Sequence, residues 1–212
     1  MPTSRRPRKP KAFINLPYHP SYTELFVAYI AGLSAHGMLP TIAPDIPGSG
    51  PRQLDRIVRL IAAAAYSVHD LSWRRPRDVR LNMPFELGIA VAVATRRRRR
   101  HQWVLFDSHP HRLKKVLGDI GGSKIYAHQK RPASVLYELS NAIYRNRYRR
   151  PPIEEVRAVH KRLCTYATDL RRRYRVKTLF DTRPFADLVA AAAEIARLER
   201  INARNPRHRK IY

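Results

Sequence analysis

The chain has 212 residues, of which 44% are hydrophobic, enough for one domain with a buried core and an additional segment. It carries 42 Lys and Arg against 16 Asp and Glu, a net charge of +26 that predicts attraction to a polyanion such as nucleic acid or an anionic membrane surface. No apolar run approaches the roughly 18 residues of a transmembrane segment, and the N-terminus does not resemble a secretory signal. The single cysteine, Cys164, excludes an internal disulfide, so a reducing, cytoplasmic location is expected.

The basic residues are clustered, and arginine greatly outnumbers lysine. The clusters lie at 5–11, 74–80, 96–100, 145–150 and 204–210. A solvated surface in a protein from an arginine-biased genome is an alternative explanation, because no zinc-finger spacing, helix-turn-helix or interleaved aromatic pattern accompanies the charge. The charge by itself predicts non-specific affinity for nucleic acid at low salt.

Residues 1–10 are basic and proline-rich and are expected to form a disordered arm. The segment that follows alternates short apolar runs, typical of buried strands, with segments whose apolar residues recur every three or four positions, typical of helices. In chain order the predicted elements are strand 12–16, helix 21–36, strand 39–43, helix 54–65, strand 66–71, helix 83–95, strand 103–106, helix 111–117, strand 125–127 and helix 133–144. Ser21 and Glu24 are expected to form a capping box at the start of the first helix, and Gly37 to end it.

Strands that alternate with helices through short connections favour parallel βαβ units. Five strands and five helices predict an α/β fold with a flavodoxin-like, doubly wound, five-stranded parallel sheet in the order 2-1-3-4-5. A TIM barrel needs eight such units, and the length of the chain excludes it. This α/β domain is predicted to occupy residues 11–147.

A pair of prolines, Pro151 and Pro152, separates this domain from a C-terminal extension over 151–203. Apolar residues at helical spacing predict two helices there, at 153–174 and about 184–201. They are expected to form a helical hairpin that packs on the sheet domain or on a second subunit, which would make the protein a homo-oligomer. Residues 204–212 are predicted to be a basic tail.

Polar residues lie at the ends of two of the predicted strands or just after them. In a doubly wound sheet, ligands bind beyond the carboxyl ends of the strands. The first strand brings Asn15 and Tyr18 to that edge, and the third strand brings Asp70 and Ser72. The helix after the third strand begins near Asn82 and contains Glu86 in its first turns, so these side chains are predicted to form one acidic site.

Glu86 lies among apolar neighbours at the start of its helix, where a carboxylate is costly unless it is hydrogen-bonded or used in chemistry. The positive end of the helix favours its ionised form. Such a carboxylate can act as a nucleophile or as an electrostatic stabiliser of an oxocarbenium-like sugar centre, and Asp70 can accept from ribose hydroxyls or position Glu86. The competing interpretation is that Glu86 is a structural residue bonded to the backbone near Asp70. Neither a metal site nor a cofactor is predicted.

Three short motifs resemble a group of bacterial TIR-like proteins and, more distantly, nucleoside 2-deoxyribosyltransferases. They are FINLPY at 13–18, YSVHDLS at 66–72 and NMPFELG at 82–88, within a resemblance that covers roughly 11–146. In the deoxyribosyltransferases the glutamate before Leu-Gly is the nucleophile that attacks the anomeric carbon, so the resemblance implies that role for Glu86 and ribose positioning for Asp70. It also implies a flavodoxin-like fold and cleavage or transfer at an N-glycosidic bond, and related TIR domains cleave NAD between nicotinamide and ribose.

Three functions remain open at the level of the sequence. The first is an N-glycosidic-bond hydrolase or transferase that acts on NAD or on a nucleoside or nucleotide, a candidate bacterial defence effector with Glu86 and Asp70 as catalytic residues. Its substrate-binding residues would be Phe13, Asn15, Tyr18, Ser72 and Asn82, with Phe13 or Tyr18 stacking on a base. The second is a non-catalytic nucleotide-sensing or scaffold module with the same cleft. The third is a basic nucleic-acid-binding protein.

Overall fold

The computed structural model describes residues 9–43, 50–72, 82–97, 101–109, 113, 124–144 and 150–204. Within them lies a five-stranded sheet in the order β2-β1-β3-β4-β5. The strands are β1 (Lys11–Asn15), β2 (Leu39–Thr41), β3 (Tyr66–Asp70), β4 (Gln102–Asp107) and β5 (Ile125–Ala127). The helices are α1 (Thr23–Ala35), α2 (Gly50–Ala63), α3 (Asn82–Arg97), α4 (Pro132–Tyr144), α5 (Ile153–Tyr174) and α6 (Thr182–Arg204). The predicted α/β, flavodoxin-like architecture and its strand order are confirmed.

Each pair of neighbouring strands is parallel, so the carboxyl ends of the strands meet at one edge of the sheet. Asn15 at the end of β1 lies opposite His69 of β3. Asp70 lies opposite Phe106 of β4. The register therefore brings the polar residues that end β1 and β3 to neighbouring positions.

Successive side chains of a strand point to opposite faces of the sheet, and in β3 this alternation separates two chemical environments. Val68 belongs to the core that lies between the sheet and helices α1 and α4. Asp70 is on the same face as Val68 and accepts a hydrogen bond from Tyr29 of α1. Ser67 and His69 lie on the other face, which α2 and α3 cover. The two faces become important at the end of β3, where the candidate site lies.

Helix α1 is buried around its whole circumference, unlike the amphipathic helices on a protein surface. All residues from Leu25 to Ala35 are buried, because the sheet covers one side of α1 while α4, α5 and α6 pack on the others. The hairpin formed by α5 and α6 thus packs on the sheet domain and shares its apolar core. Among the described residues no helix has the length and apolar character needed to cross a membrane.

The predicted capping box at the start of α1 is wrong. A 3-10 turn over Pro20–Tyr22 comes first, and its cap is His19, whose Nδ1 accepts from the Ser21 N–H at 3.3 Å. Proline favours this turn because its fixed φ suits the first helical position. Ser21 therefore belongs to the turn, and α1 begins at Thr23 without a side-chain cap.

The predicted end of α1 at Gly37 is confirmed. Gly37 has φ of 82°, a left-handed conformation that glycine adopts without steric cost. The Met38 N–H donates to the Leu33 carbonyl at 3.0 Å, and the Gly37 N–H donates to the Ser34 carbonyl at 2.9 Å. This pair of bonds is a Schellman motif, which satisfies carbonyls at the helix end and turns the chain into β2.

Several predicted segments lie outside the described residues. They include residues 1–8 of the arm, the tail beyond 204, the arginine-rich segment 73–81 and the helix at 111–117 apart from Leu113. Leu113 is buried and packs in a cluster with Leu71, Leu87 and Leu105. The last predicted helix, at about 184–201, extends further at both ends in the structure, over Thr182–Arg204.

Candidate functional site

Asp70, the last residue of β3, is completely buried and accepts hydrogen bonds on both carboxylate oxygens. Tyr29 of α1 donates its hydroxyl to Oδ2 at 3.0 Å, and Nε2 of His128 lies 3.1 Å from the same oxygen. Ser72 donates its backbone N–H, at 3.0 Å, and its hydroxyl to Oδ1. A carboxylate offers about four acceptor positions, so the protein's own donors occupy the full capacity of Asp70.

His128, which directly follows β5, is held in one tautomer. Its Nδ1 accepts from the Lys130 N–H at 3.0 Å, so Nε2 carries the proton, which it shares between Asp70 and the Ser72 hydroxyl oxygen at 2.9 Å. Burial raises the pKa of Asp70, but hydrogen bonds from His128 and Ser72 outweigh burial and bring this pKa below its usual value. Asp70 is therefore ionised at neutral pH and holds the ends of β3 and β5 against α1.

On the opposite face of the sheet, Asn15 joins the end of β1 to the start of α3. Its Nδ2 donates to the Met83 carbonyl at 3.0 Å and lies 3.1 Å from Nδ1 of His69. Asn15 is only 3% exposed, so both bonds are shielded from water. The amide thereby fixes the first turn of α3 at the edge where β1 and β3 end.

His69 continues this network along the sheet. Its Nε2 lies 3.1 Å from the Ser67 hydroxyl, which lies 3.1 Å from Nε2 of His101, and Nδ1 of His101 lies 2.9 Å from the Ala64 carbonyl. Every donor meets an acceptor when both imidazoles are neutral, with His69 protonated on Nε2 and His101 on Nδ1. Burial, followed by the nearby His101, lowers the pKa of His69 to about 3. Burial also lowers the pKa of His101.

Glu86 lies on the buried side of α3. Only 7% of it is exposed, and Met83 and Ala90, which share its side of the helix, are buried as well, as is the adjacent Leu87. Phe85, the residue before it, is 57% exposed. Because Asn15 holds the Met83 carbonyl, the turn that carries Glu86 is fixed at the carboxyl ends of β1 and β3.

The aromatic residues predicted to stack on a base differ in accessibility. Phe13 is completely buried in a cluster with Ile61 and Ala90, and its ring centroid lies 6.3 Å from that of His69. Tyr18 is half-buried, and its hydroxyl accepts from the Ala43 N–H at 3.3 Å. The structure therefore leaves part of Tyr18 accessible beside the sheet edge and places Phe13 in the core.

The other predicted binding residues take up different positions. Asn15 and Ser72 are both nearly buried at the sheet edge, and the Ser72 hydroxyl is engaged with Asp70. Asn82 is the first residue of α3, and its side chain lies outside the described part of the structure. The sheet edge thus combines Asn15, Asp70, Ser72 and the turn that carries Glu86.

His69 and Asp70 form a dipeptide that in other proteins can bind a metal, but here their side chains occupy opposite faces of the sheet. In the described ranges no group of three or more His, Cys, Asp or Glu residues could hold a metal ion.

Three contributors to the site were not predicted as functional residues. Tyr29 has the helical spacing of a core residue, and nothing in that spacing indicates that its hydroxyl meets Asp70. His128 lies after the shortest predicted strand, far from β3 in sequence. The Met83 carbonyl is a backbone group, for which a sequence pattern carries no signal.

Comparison with solved structures gives a distant similarity. The chain is similar to the solved structure of a 2-desoxiribosyltransferase from Leishmania mexicana, with 20% sequence identity and a TM-score of 0.39. The match covers 51% of this chain and 71% of that chain. No family model matches the chain, and no curated protein matches it.

Proposed function

We propose that the protein cleaves or transfers the N-glycosidic bond of NAD or of a nucleoside or nucleotide, with Glu86 as nucleophile or electrostatic stabiliser. The observation that carries this proposal is the position of Glu86, a carboxylate only 7% exposed on a turn fixed at the edge where β1 and β3 end. Positive charge develops on the sugar in the transition state, and a carboxylate shielded from water stabilises that charge better than an exposed one.

Asp70 has a positioning role in this proposal. Its four hydrogen bonds come from Tyr29, His128 and Ser72, so direct contact with a ribose hydroxyl requires that one of these donors be released. Ionised Asp70 instead fixes the segment that leaves β3 beside the substrate. Partners that hold a side chain or backbone in the productive geometry are a general requirement of catalytic sites.

Asn15 is proposed to bind the substrate through its carbonyl oxygen. The two hydrogen bonds of its side chain, to Met83 and His69, both use Nδ2. Oδ1 is thereby oriented as an acceptor for a sugar hydroxyl. Tyr18, whose ring packs 5.3 Å from that of Phe180, is half-buried and is proposed to contact a base with its exposed part. NAD as substrate and a role in bacterial defence are implied by the resemblance of the three motifs to TIR-like proteins.

The test is incubation of the purified protein with NAD and with a panel of nucleosides and nucleotides, with products separated by chromatography. We expect release of a free base by the wild type and loss of release in Glu86→Gln. The matched control is Glu155→Gln, which changes a glutamate that is 4% exposed in the first turn of α5, outside the site. Undiminished release by Glu86→Gln would overturn the assignment.

A non-catalytic nucleotide-binding module is the second candidate, and the saturation of Asp70 favours it. An aspartate whose acceptor positions are all used by donors from within the protein stabilises a rigid site, and such a site is suited to binding a ligand without turnover. This function predicts that a nucleotide binds, as measured by isothermal titration calorimetry, and is recovered intact after hours of incubation. Recovery of free base from the same incubation decides against it.

A further inference from the structure

Two cavities share part of their walls along α5, on the α1 and α4 side of the sheet. The first has a volume of about 240 Å³ and lies between the start of α1, the start of α4 and the middle of α5. The second has a volume of about 420 Å³ and lies at the C-terminal end of α5. Thr168 and Arg171 line both cavities, so the two cavities are adjacent, and we call them together the α5 groove. Its residues take no part in the site at the ends of β1 and β3.

One end of the α5 groove is cationic. Arg171, Arg172, Arg175 and Lys177 make up four of the six residues that line the larger cavity, and none of the six is acidic. Arg172 has a partner in Asp169 at 3.6 Å, but both side chains are exposed, so the pair contributes little. Four cations around one concavity produce the potential that attracts a phosphate group.

The end of α5 brings these cations together. Arg175 caps the helix in a left-handed conformation, with φ of 51°. The Val176 N–H donates to the Arg171 carbonyl at 3.2 Å, which turns the chain back over the last turn of the helix. Lys177 therefore lines the same cavity as Arg171. Cations near a helix C-terminus also complement the helix dipole, but that interaction does not need a concave arrangement.

The other end of the groove is polar and largely uncharged. Nε2 of His160 lies 3.3 Å from Sγ of Cys164. Burial lowers the pKa of His160 and raises the pKa of Cys164, so both groups are neutral at pH 7. Glu24 is the one carboxylate among the lining residues of this smaller cavity, beside the apolar walls formed by Val27 and Ala167. A carboxylate can accept from sugar or base donors and repels phosphate.

We propose that the α5 groove binds a small phosphorylated ligand of mononucleotide type. Its phosphate lies against Arg171, Arg175 and Lys177, and its sugar and base occupy the smaller cavity with Glu24 and His160. The charges of the two ends fix this orientation, since Glu24 excludes phosphate from one end and the arginines attract it to the other. The opposite charges of the two ends favour a small ligand with one anionic end over a nucleic-acid backbone, which carries negative charge along its whole length.

The experiment is a calorimetric titration of the full chain with AMP, adenosine and inorganic phosphate. All variants carry Glu86→Gln, so that turnover at the sheet edge cannot alter the ligand. The groove variant is Arg171→Gln with Lys177→Gln. The matched control is Arg157→Gln with Arg173→Gln, which also removes two cations from exposed positions in α5 but changes no groove-lining residue.

We expect AMP to bind the Glu86→Gln protein and the control with equal affinity, and the groove variant about tenfold or more weakly. Adenosine and phosphate should each bind more weakly than AMP, because each fills only one end. Equal AMP affinity in all three proteins would place the binding at another site, such as the sheet edge, and would overturn the proposal. Equal weakening in both variants would show that affinity follows overall charge and would overturn it as well, as would the absence of AMP binding at millimolar concentration. If the groove variant instead lost affinity only for duplex DNA, that result would also overturn the proposal and would assign the groove to nucleic acid. Each of these results is independent of whether base release depends on Glu86.

Discussion

His69 and Asp70 are consecutive residues of β3, yet their side chains belong to separate hydrogen-bond networks on opposite faces of the sheet. His69 is joined through Asn15 to the first turn of α3, whereas Asp70 is joined directly to Tyr29 of α1. Both networks end at the carboxyl edge of the sheet. The edge is thus fixed from both faces, and the position of Glu86 depends on the packing of α3 against one of them.

Tyr29→Phe should destabilise the protein. The substitution keeps the ring in the core and removes one of the donors to the buried carboxylate of Asp70. A hydrogen bond to a charged group is worth about 1.5–3 kcal/mol, and we expect a loss of that size in the free energy of unfolding measured with urea. Tyr137→Phe, which changes a tyrosine that is 54% exposed, is the control and should change stability by less than about 0.5 kcal/mol. Equal effects of both substitutions would contradict the role given to the Tyr29 hydroxyl.

Stability should fall as the pH falls below the usual pKa of histidine, because His69 is buried as a neutral group. The ordinary pKa of histidine is 6.5, whereas that of His69 in the fold is about 3, so the unfolded chain binds more protons between these values. The contribution of His69 to the free energy of unfolding is fully present above pH 6.5. Below pH 6.5 it decreases by about 1.4 kcal/mol per pH unit. His101 acts in the same direction, whereas Asp70, with its pKa below 3.8, loses its contribution only in stronger acid.

The variant His69→Gln tests this dependence. It is expected to be less stable at neutral pH, because the hydrogen bonds to Asn15 and Ser67 are disturbed. Between about pH 6 and pH 4 its free energy of unfolding should fall less steeply than that of the wild type, by about 1.4 kcal/mol per pH unit. Urea unfolding across this range measures both slopes. Parallel slopes would mean that His69 does not titrate on unfolding.

Non-specific binding to duplex DNA is expected from the net charge of +26. The logarithm of the affinity should fall linearly with the logarithm of the salt concentration, with a slope of about −0.9 for each phosphate neutralised. Replacing the five arginines at 96–100 by glutamine should reduce this slope, as measured by fluorescence anisotropy at several salt concentrations. Binding to one particular sequence that persists at physiological salt would contradict the non-specific interpretation and favour a dedicated nucleic-acid function.

The sequence predicts most helices because their apolar residues recur every three or four positions. It predicts the strands as short apolar runs, and their alternation with helices favours the doubly wound sheet order. It also predicts the end of α1, since Gly37 occupies a left-handed position that other residues disfavour. The predicted start of α1 is wrong because Pro20 and His19 form a competing turn that satisfies the Ser21 N–H. Within these few residues the sequence favours both a capping box and a turn, and the sequence alone does not show which of the two structures forms.

The candidate site could be predicted only in part. Asn15 and Asp70 end strands and Ser72 follows one, and the topology of a doubly wound sheet brings such residues together. Their partners come from distant parts of the chain, and Tyr29 and His128 reach Asp70 only because α1 and β5 pack beside β3. The spacing of apolar residues predicts that Tyr29 is buried, but it does not predict which polar atom accepts the hydrogen bond from its hydroxyl.

Asp70→Asn and Glu86→Gln should separate positioning from catalysis. An asparagine at position 70 directs an N–H₂ group at donors from Tyr29, His128 or Ser72, which should cost about 2–4 kcal/mol of stability and reduce base release through a displaced site. Glu86→Gln should abolish base release at a much smaller cost in stability, because the turn that carries it remains fixed by Asn15. Thermal unfolding and chromatography of products on both variants measure the two effects. If Asp70→Asn kept wild-type stability and lost release as completely as Glu86→Gln, Asp70 would have to contact the substrate directly.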